Sequence, residues 1–368
     1  MTNHEFCKFF RNGLVYNNDT VNFTVSPCCY FAGSSIIDPS ADVPLQFAQY
    51  RESWQQADVN NTCKICLDQE KSNIPSYRQA ANDIVAQDSD GIIMLTVAVT
   101  KKCNLACPTC GSDASSFWHQ ENLRNGIVEP DRVIKMHVDD HEHLITKKFL
   151  SLFETQDLSK LRYIKFGGGE PFMSNAHLQI LELVPNPELV TVQYTSNFSV
   201  MPAKQVFKAW EKFQLIKWCA STDGVGQQFE FLRWPYTWEK FNNFKHRALD
   251  LVPVNVMFGV EHTLNPLNIL YFDDFENWFD AEFSTNRLGD SSDFNLHYAG
   301  GVMGLDCVTP ELQQAVINKF GSQHRVAKLL EQTPLSGNVK QFTDYLDQID
   351  GWRNLNWRDI FPAAAEFY

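Results

Sequence analysis

The stretch that most constrains this chain is residues 103–110, which read Cys-Asn-Leu-Ala-Cys-Pro-Thr-Cys. The apolar, β-branched run at 91–100 predicts a buried strand that delivers these cysteines at its C-terminal end. Three thiolates at C-x3-C-x2-C spacing can hold a compact metal centre, and soft sulfur ligands select zinc, copper(I) or iron–sulfur clusters. Zinc needs a fourth ligand, for which His119 is the local candidate. A [4Fe–4S] cluster on three cysteines instead leaves one iron that a small molecule can chelate.

A second motif lies at residues 162–171, where a predicted strand runs into three glycines and a glutamate. Absent side chains let a ligand approach the backbone closely, although an ordinary strand-to-helix turn has the same composition. The two stretches together resemble the cysteine signature and the "GGE" motif of the radical S-adenosylmethionine (SAM) superfamily. The resemblance implies a [4Fe–4S] cluster on Cys103, Cys107 and Cys110. It also implies SAM contacts from Gly167, Gly168, Gly169 and Glu170.

Length and composition set the remaining bounds. A chain of 368 residues with 44% hydrophobic residues can form one large domain and a smaller one. Residues 1–6 lack the features of a signal peptide, and no apolar run approaches the roughly 18 residues of a membrane span. We therefore expect a cytoplasmic protein with reduced cysteines and no membrane partner. The net charge of −13 disfavours a general nucleic-acid surface.

The first 80 residues carry five of the ten cysteines. Residues 14–25 predict a β-hairpin with a polar turn at 17–19. Two cysteine pairs, Ser26-Pro27-Cys28-Cys29 and Cys63-Lys64-Ile65-Cys66, resemble the twitch or SPASM-type auxiliary-cluster module of radical SAM enzymes, placed here before the barrel. The resemblance implies a second [4Fe–4S] cluster. Zinc and a thioredoxin-like redox pair are the alternatives for the C-x2-C pair.

One of the five N-terminal cysteines is spare if four ligate a cluster. Extended neighbours point in opposite directions, so Cys28 and Cys29 cannot both face it. We expect Cys29 to be the spare residue. The predicted auxiliary ligands are then Cys7, Cys28, Cys63 and Cys66.

From residue 91 onward, apolar runs alternate with amphipathic helical stretches, which is typical of an α/β fold built from repeated βα units. Six strands are predicted, at 91–100, 161–167, 189–196, 215–222, 252–262 and 293–299. The resemblance implies a partial (β/α)6 TIM-like barrel with its active site at the C-terminal ends of the strands. We expect an auxiliary module at 1–80, the barrel at 81–307 and a C-terminal helical extension at 308–368.

Polar residues at the predicted strand ends are the remaining cofactor candidates. Ser196 and Asn197 resemble the "TNG"-like segment of the superfamily, and Ser221 and Asp223 resemble its "S-x-DG" strand end. Arg233 could form a bidentate pair with a carboxylate of SAM or substrate, or a surface salt bridge. The alternative for the strand ends is a capped βα turn that serves the backbone.

Two further cysteines, Cys219 and Cys307, stand apart from both ligand sets. Either could donate a hydrogen atom to a substrate radical if it faces the barrel interior, which makes them the catalytic candidates. A buried, inert thiol is the alternative. Glu261, Thr263 and His297 also end predicted strands, where a structural hydrogen bond is the commoner role.

The sequence therefore predicts an enzyme that cleaves SAM reductively to a 5′-deoxyadenosyl radical. The radical would abstract hydrogen from a peptide or a small polar metabolite, leading to oxidation or crosslinking (an oxidoreductase) or to epimerisation. The resemblance implies a reductant such as flavodoxin or ferredoxin. The alternatives are a non-catalytic iron–sulfur or zinc protein that transfers electrons or acts as a scaffold, and a radical SAM enzyme acting on RNA or nucleotides.

Overall fold

The structure is a computed structural model, and it describes residues 7–18, 23–31, 35–37, 43–84, 91–137, 157–283 and 294–368. Their central feature is a nine-stranded sheet with the spatial order β3-β2-β1-β4-β5-β6-β7-β8-β9. The strands are β1 Gly13–Asn18, β2 Phe23–Ser26, β3 Ser35–Ile37, β4 Met94–Thr100, β5 Tyr163–Gly168, β6 Thr191–Ser196, β7 Leu215–Ser221, β8 Val256–Leu264 and β9 Asn295–Tyr298.

Strands β4 to β9 are all parallel and follow one another in chain order. The six strand predictions are confirmed, with ends that differ by a few residues. Because the strands are parallel, their C-terminal ends meet at one edge of the sheet. The connecting helices are α6 Ser116–Arg124, α7 Asp131–Met136, α8 Ala176–Glu182, α9 Lys204–Trp210, α10 Gln227–Leu232, α11 Trp238–Leu251 and α12 Phe272–Glu282.

The N-terminal segment extends this same sheet. Strand β1 pairs antiparallel with β2, which confirms the hairpin, and parallel with β4. Residues 19–22 of the predicted hairpin, with the end of its predicted turn, lie outside the described residues, as do residues 85–90. The hairpin's neighbouring helices are α1 Phe9–Asn12, α2 Val43–Gln55, α3 Val59–Thr62, α4 Lys64–Lys71 and α5 Tyr77–Ile84. Gln69 of α4 donates a hydrogen bond to the Leu296 carbonyl of β9. The N-terminal segment therefore contacts both the first parallel strand, β4, and the last, β9.

Aromatic side chains fill the space between the parallel strands and their helices. Trp210 and Trp218 are fully buried. Trp218 lies 4.7 Å from the Phe198 ring and 5.5 Å from the Phe258 ring, measured between centroids. Such ring pairs add roughly 1 kcal/mol each to the free energy of burial. This layer therefore fixes the strands whose opposite face carries the polar side chains described below.

The C-terminal residues form the predicted helical extension, and its helix Val339–Arg353 (α15) contacts the cysteine loop. Its Tyr345 hydroxyl donates to the Pro108 carbonyl over 2.8 Å. Arg353 donates to the Ala106 carbonyl over 2.8 Å and forms a buried ion pair with Glu121. The helices are α13 Pro310–Phe320, α14 Arg325–Gln332, α15 Val339–Arg353, α16 Trp357–Ile360 and α17 Pro362–Ala365. Among the described helices, none has the length and apolar character needed to cross a membrane.

Candidate active site

A cavity of about 420 Å³ lies where the C-terminal ends of the parallel strands meet. It is lined by residues from both sequence motifs, from later strand ends and from the N-terminal segment. The predicted site residues that line it are Cys103, Cys107, Cys110, Gly168, Gly169, Asn197, Ser221 and Arg233. The lining also includes Tyr30 and Gly300, so residues from distant parts of the chain meet at one cavity.

The cysteine loop follows β4 directly and is fixed by hydrogen bonds on both sides. Ser115 caps α6 and donates its hydroxyl to the Leu105 carbonyl over 2.6 Å. The Ala106 amide donates to the Trp234 carbonyl over 2.7 Å. Within the described ranges, no three or more His, Cys, Asp or Glu side chains surround one metal-ion position. The three thiols instead lie around the wall of the cavity.

Polar hydrogens point at two of these thiols. Asn197 Nδ2 lies 3.7 Å from Cys103 Sγ, and Arg233 Nη1 lies 3.9 Å from Cys107 Sγ. A hydrogen bond shared with Cys110 and the charge of the Arg233 guanidinium lower the pKa of Cys107, and the same hydrogen bond raises the pKa of Cys110. Burial raises the pKa of Cys103 to about 12. Metal ligation requires thiolates, so donors placed at the sulfurs favour the ligating form.

Two of the three glycines are required by the close approach of the cysteine loop. A Cβ on Gly168 would lie 2.5 Å from the Thr100 carbonyl oxygen, and Gly168 also has φ of +109°. A Cβ on Gly169 would lie 2.2 Å from the Lys102 carbonyl oxygen. A Cβ on Gly167 would meet nothing within 4 Å. Gly168 and Gly169 therefore let β5 pack against the segment that leads into Cys103.

The Glu170 side chain is fully buried and is not among the residues that line the cavity. Its carboxylate accepts hydrogen bonds from the Ser196 hydroxyl over 2.9 Å and from the backbone N–H of Asn197 over 2.7 Å. Burial raises the pKa of Glu170 to about 7. The structure therefore places Glu170 and Ser196 behind the cavity wall, where they hold Asn197 toward the cysteine loop. Their direct contact with a cofactor stays a prediction.

Arg233 forms a buried ion pair with Asp223, with 2.7 Å between Nη2 and Oδ2. Asp223 Oδ1 also accepts the Thr263 amide over 2.8 Å, which ties β7 to β8. Ser221 precedes this pair and lines the cavity. The guanidinium is thus fixed between Asp223 and Cys107, so the surface salt bridge considered for Arg233 is not the arrangement found.

A charged network that the sequence did not single out as a unit lies beside the cavity. The Glu261 carboxylate accepts from Lys165 Nζ over 2.9 Å, Gln193 Nε2 over 2.7 Å and Thr195 Oγ1 over 2.8 Å. Burial alone would raise the pKa of Glu261, but the Lys165 ammonium and the hydrogen bonds to the carboxylate hold it at about 2. A lysine inside an apolar strand was the signal for this network, because a buried charge requires a partner.

The predicted auxiliary ligands Cys7, Cys28, Cys63 and Cys66 are all buried and line a second, smaller cavity. Cys29 is exposed and does not line it, so the neighbouring thiols of Cys28 and Cys29 are directed differently. The space enclosed is about 10 Å³, enough for roughly one water molecule. Binding of a cluster there requires the four side chains to move apart.

The two catalytic candidates do not reach the larger cavity. Cys219 is buried on β7, and burial raises its pKa to about 12. Its sulfur packs closely against Gly259 of β8, where an added Cβ would lie 3.0 Å from it. Cys307 is buried against the C-terminal helices. Its sulfur packs closely against Gly337, where an added Cβ would lie 2.6 Å from it. Neither is among the residues that line the larger cavity. Their role as hydrogen donors stays a prediction.

No family model matches the chain, and no curated protein matches it in sequence. It is similar in structure to native anSMEcpe with bound AdoMet, with 14% identity, a TM-score of 0.38 and coverage of 62% of this chain. It spans 59% of that chain. It is also similar to TYW1 with a lysine-pyruvate adduct bound, with 16% identity, a TM-score of 0.30 and coverage of 66% of this chain and 72% of that one.

A third similar structure is Streptococcus suis SuiB bound to S-adenosylmethionine, with 11% identity and a TM-score of 0.29. That match covers 81% of this chain and 74% of SuiB. The scores are low, and the functional proposal rests on the residues of the site instead.

Proposed function

We propose that the chain is a radical SAM enzyme. The observation that carries the proposal is that the three loop cysteines, the close-packed glycines and Asn197 line one cavity at the C-terminal ends of parallel strands. Active sites of parallel α/β folds lie at this edge. We propose that β4 to β9, with their helices, form the partial barrel.

The donor set fits an iron–sulfur cluster. Cys103, Cys107 and Cys110 are the thiol ligands, and Asn197 and Arg233 place hydrogens toward their sulfurs. When bound, a [4Fe–4S] cluster with one open iron supplies the chelation of SAM and the electron that cleaves it to methionine and a 5′-deoxyadenosyl radical. The chain supplies the rest: the cavity orients the reactants and excludes water from a reactive radical.

We propose that the N-terminal segment, residues 1–80, holds a second [4Fe–4S] cluster on Cys7, Cys28, Cys63 and Cys66. Four buried thiols around one cavity support this assignment. Ile65 and Gln69 of α4 also line the larger cavity, so the segment contributes to the same site. We place the barrel at 81–307 and the helical extension at 308–368.

We propose that the 5′-deoxyadenosyl radical abstracts hydrogen from a peptide or a small polar metabolite. Neither Cys219 nor Cys307 lines the cavity, which favours an oxidoreductase outcome, by oxidation or crosslinking, over epimerisation with a cysteine donor. A flavodoxin or ferredoxin in the cytoplasm is the proposed electron source.

Anaerobic reconstitution, followed by iron and sulfide counting and an assay for 5′-deoxyadenosine, tests the proposal. We expect about eight irons per chain, four for each cubane cluster, together with 5′-deoxyadenosine formation. About four irons with activity would leave the N-terminal cysteines to zinc or to no metal. Zinc without SAM cleavage would refute the enzyme and support a scaffold protein.

A further inference from the structure

Gln69 contributes an unsatisfied acceptor to the wall of the larger cavity. The residue lines the cavity and is only 3% exposed. Its Nε2 donates to the Leu296 carbonyl over 3.0 Å, which fixes the orientation of the amide. Its Oε1 is buried and has no hydrogen-bond partner in the described part of the chain. A buried amide oxygen of this kind is costly without a donor.

His297, the residue after Leu296, contributes an unsatisfied donor to the same wall. The Tyr30 hydroxyl hydrogen-bonds to Nδ1. We assign the hydroxyl as the donor, which leaves the hydrogen of the neutral ring on Nε2. Burial lowers the pKa of His297, which agrees with a neutral ring. Nε2 has no hydrogen-bond partner among the described residues, and the Glu261 carboxylate is 3.8 Å away.

The charged groups at this site already have partners. The Glu261 carboxylate is paired with Lys165, and Arg233 is paired with Asp223. A charged head group would therefore find no unpaired ion among the described lining residues. Among the described lining residues, the buried side-chain atoms without a hydrogen-bond partner are the acceptor Gln69 Oε1 and the donors His297 Nε2 and Arg233 Nε. Gln69 and His297 lie together at β9, because Gln69 is hydrogen-bonded to Leu296, and both are neutral. A secondary amide, with one N–H and one C=O, has the complementary pair.

We propose that Gln69 and His297 bind a backbone amide of a peptide substrate, with the N–H donating to Gln69 Oε1 and the C=O accepting from His297 Nε2. The inference rests on the proposed function and selects the peptide from the two proposed substrate classes, a peptide or a small polar metabolite. Helix α4 would then serve two roles, because it carries both the proposed cluster ligand Cys66 and the substrate-binding residue Gln69.

The test measures peptide retention by the reconstituted enzyme with SAM, without reductant. The probe is an equimolar pool of N-acetylated, C-amidated pentapeptides of random sequence, with retained members quantified by ultrafiltration and mass spectrometry. We expect Gln69→Leu to weaken retention roughly tenfold, as for one lost neutral hydrogen bond. Gln314→Leu, the same change at an exposed position of α13, is the matched control and should match the wild type. Iron content and melting temperature establish that each variant is folded.

A second pool with N-methylated backbones removes the N–H donors, and we expect the wild type to lose its members. His297→Phe should weaken retention of the first pool and provides the test if Gln69→Leu does not fold. The inference is overturned if the wild type retains no peptide, if neither variant weakens retention, or if N-methylation has no effect. Formation of 5′-deoxyadenosine is measured separately, so failure of the proposed function is distinguished from failure of this inference.

Discussion

Replacing Glu170 by glutamine tests the role assigned to the second motif. The Glu170 carboxylate is fully buried behind the cavity wall, and burial raises its pKa from 4.5 to about 7. A carboxyl group whose pKa is higher in the folded chain stabilises the fold through its protonated form. That contribution is complete below the unfolded-state pKa and is lost as the pH rises through the folded-state pKa.

The size of the effect follows from the two pKa values. A pKa shift from 4.5 to about 7 contributes about 3 kcal/mol to the free energy of unfolding at low pH. This contribution is lost as the pH rises from about 4.5 to about 8. Glutamine does not titrate, so Glu170→Gln lacks this dependence. Its amide places N–H groups near the Asn197 amide or the Ser196 hydroxyl, which lowers stability at every pH. The test is therefore the change with pH in the stability difference between wild type and variant, not its absolute value.

Equilibrium urea denaturation of the chain without reconstituted clusters, followed by circular dichroism at several pH values, measures this difference. We expect the free energy of unfolding of the wild type, minus that of the variant, to fall by about 3 kcal/mol as the pH rises from about 4.5 to about 8. Glu261, whose pKa is held at about 2, acts in the opposite sense and below the window. If the difference in free energy of unfolding stays constant with pH within about 1 kcal/mol, the Glu170 carboxyl is solvated and not buried.

Three further predictions concern the cysteine loop and its support. Gly169→Ala places a Cβ 2.2 Å from a backbone carbonyl oxygen, so we expect the cysteine loop to lose its iron. Gly167→Ala adds a Cβ in open space and should keep that iron. Iron counting measures both variants. The triple alanine variant of the three loop cysteines should lose SAM cleavage and keep about four irons; loss of all iron would contradict two separate clusters. Arg233→Met leaves a buried carboxylate uncompensated, so we expect about 3–5 kcal/mol of destabilisation by urea denaturation. Adding Asp223→Asn should restore part of it, and no restoration would show that the ion pair is not the cause.

Much of the fold was predictable from local sequence. The apolar runs and their alternation with amphipathic segments predicted all six parallel strands, because a strand buried on both faces requires near-continuous apolar residues. The helical extension and the hairpin followed from the same periodicities. The three loop cysteines were identifiable as ligand candidates because their spacing is local, and the structure confirms that β4 leads directly into their loop.

The strand ends were less predictable, because each polar residue there has two possible partners. The carboxylate of Glu170 accepts hydrogen bonds from Ser196 and Asn197, which the sequence did not predict, and its expected contact with the cofactor stays a prediction. Arg233 lies buried between Asp223 and Cys107, so the surface salt bridge is excluded, whereas its expected contact with a carboxylate of SAM or substrate stays a prediction. Sequence spacing identifies which residues arrive at a strand end, but not which of them pair.

The sequence by itself determined the parallel sheet, the cysteine loop and the chemistry that three thiols can support, since these depend on residue type and on contacts within about ten positions. Only the tertiary structure brought Gln69 to the site, 227 positions from its partner Leu296. Register in the sheet determined that Lys165, on β5, meets Glu261, on β8. Such contacts form when distant segments pack, and a lone glutamine or lysine in a sequence carries no local mark of the partner it will meet.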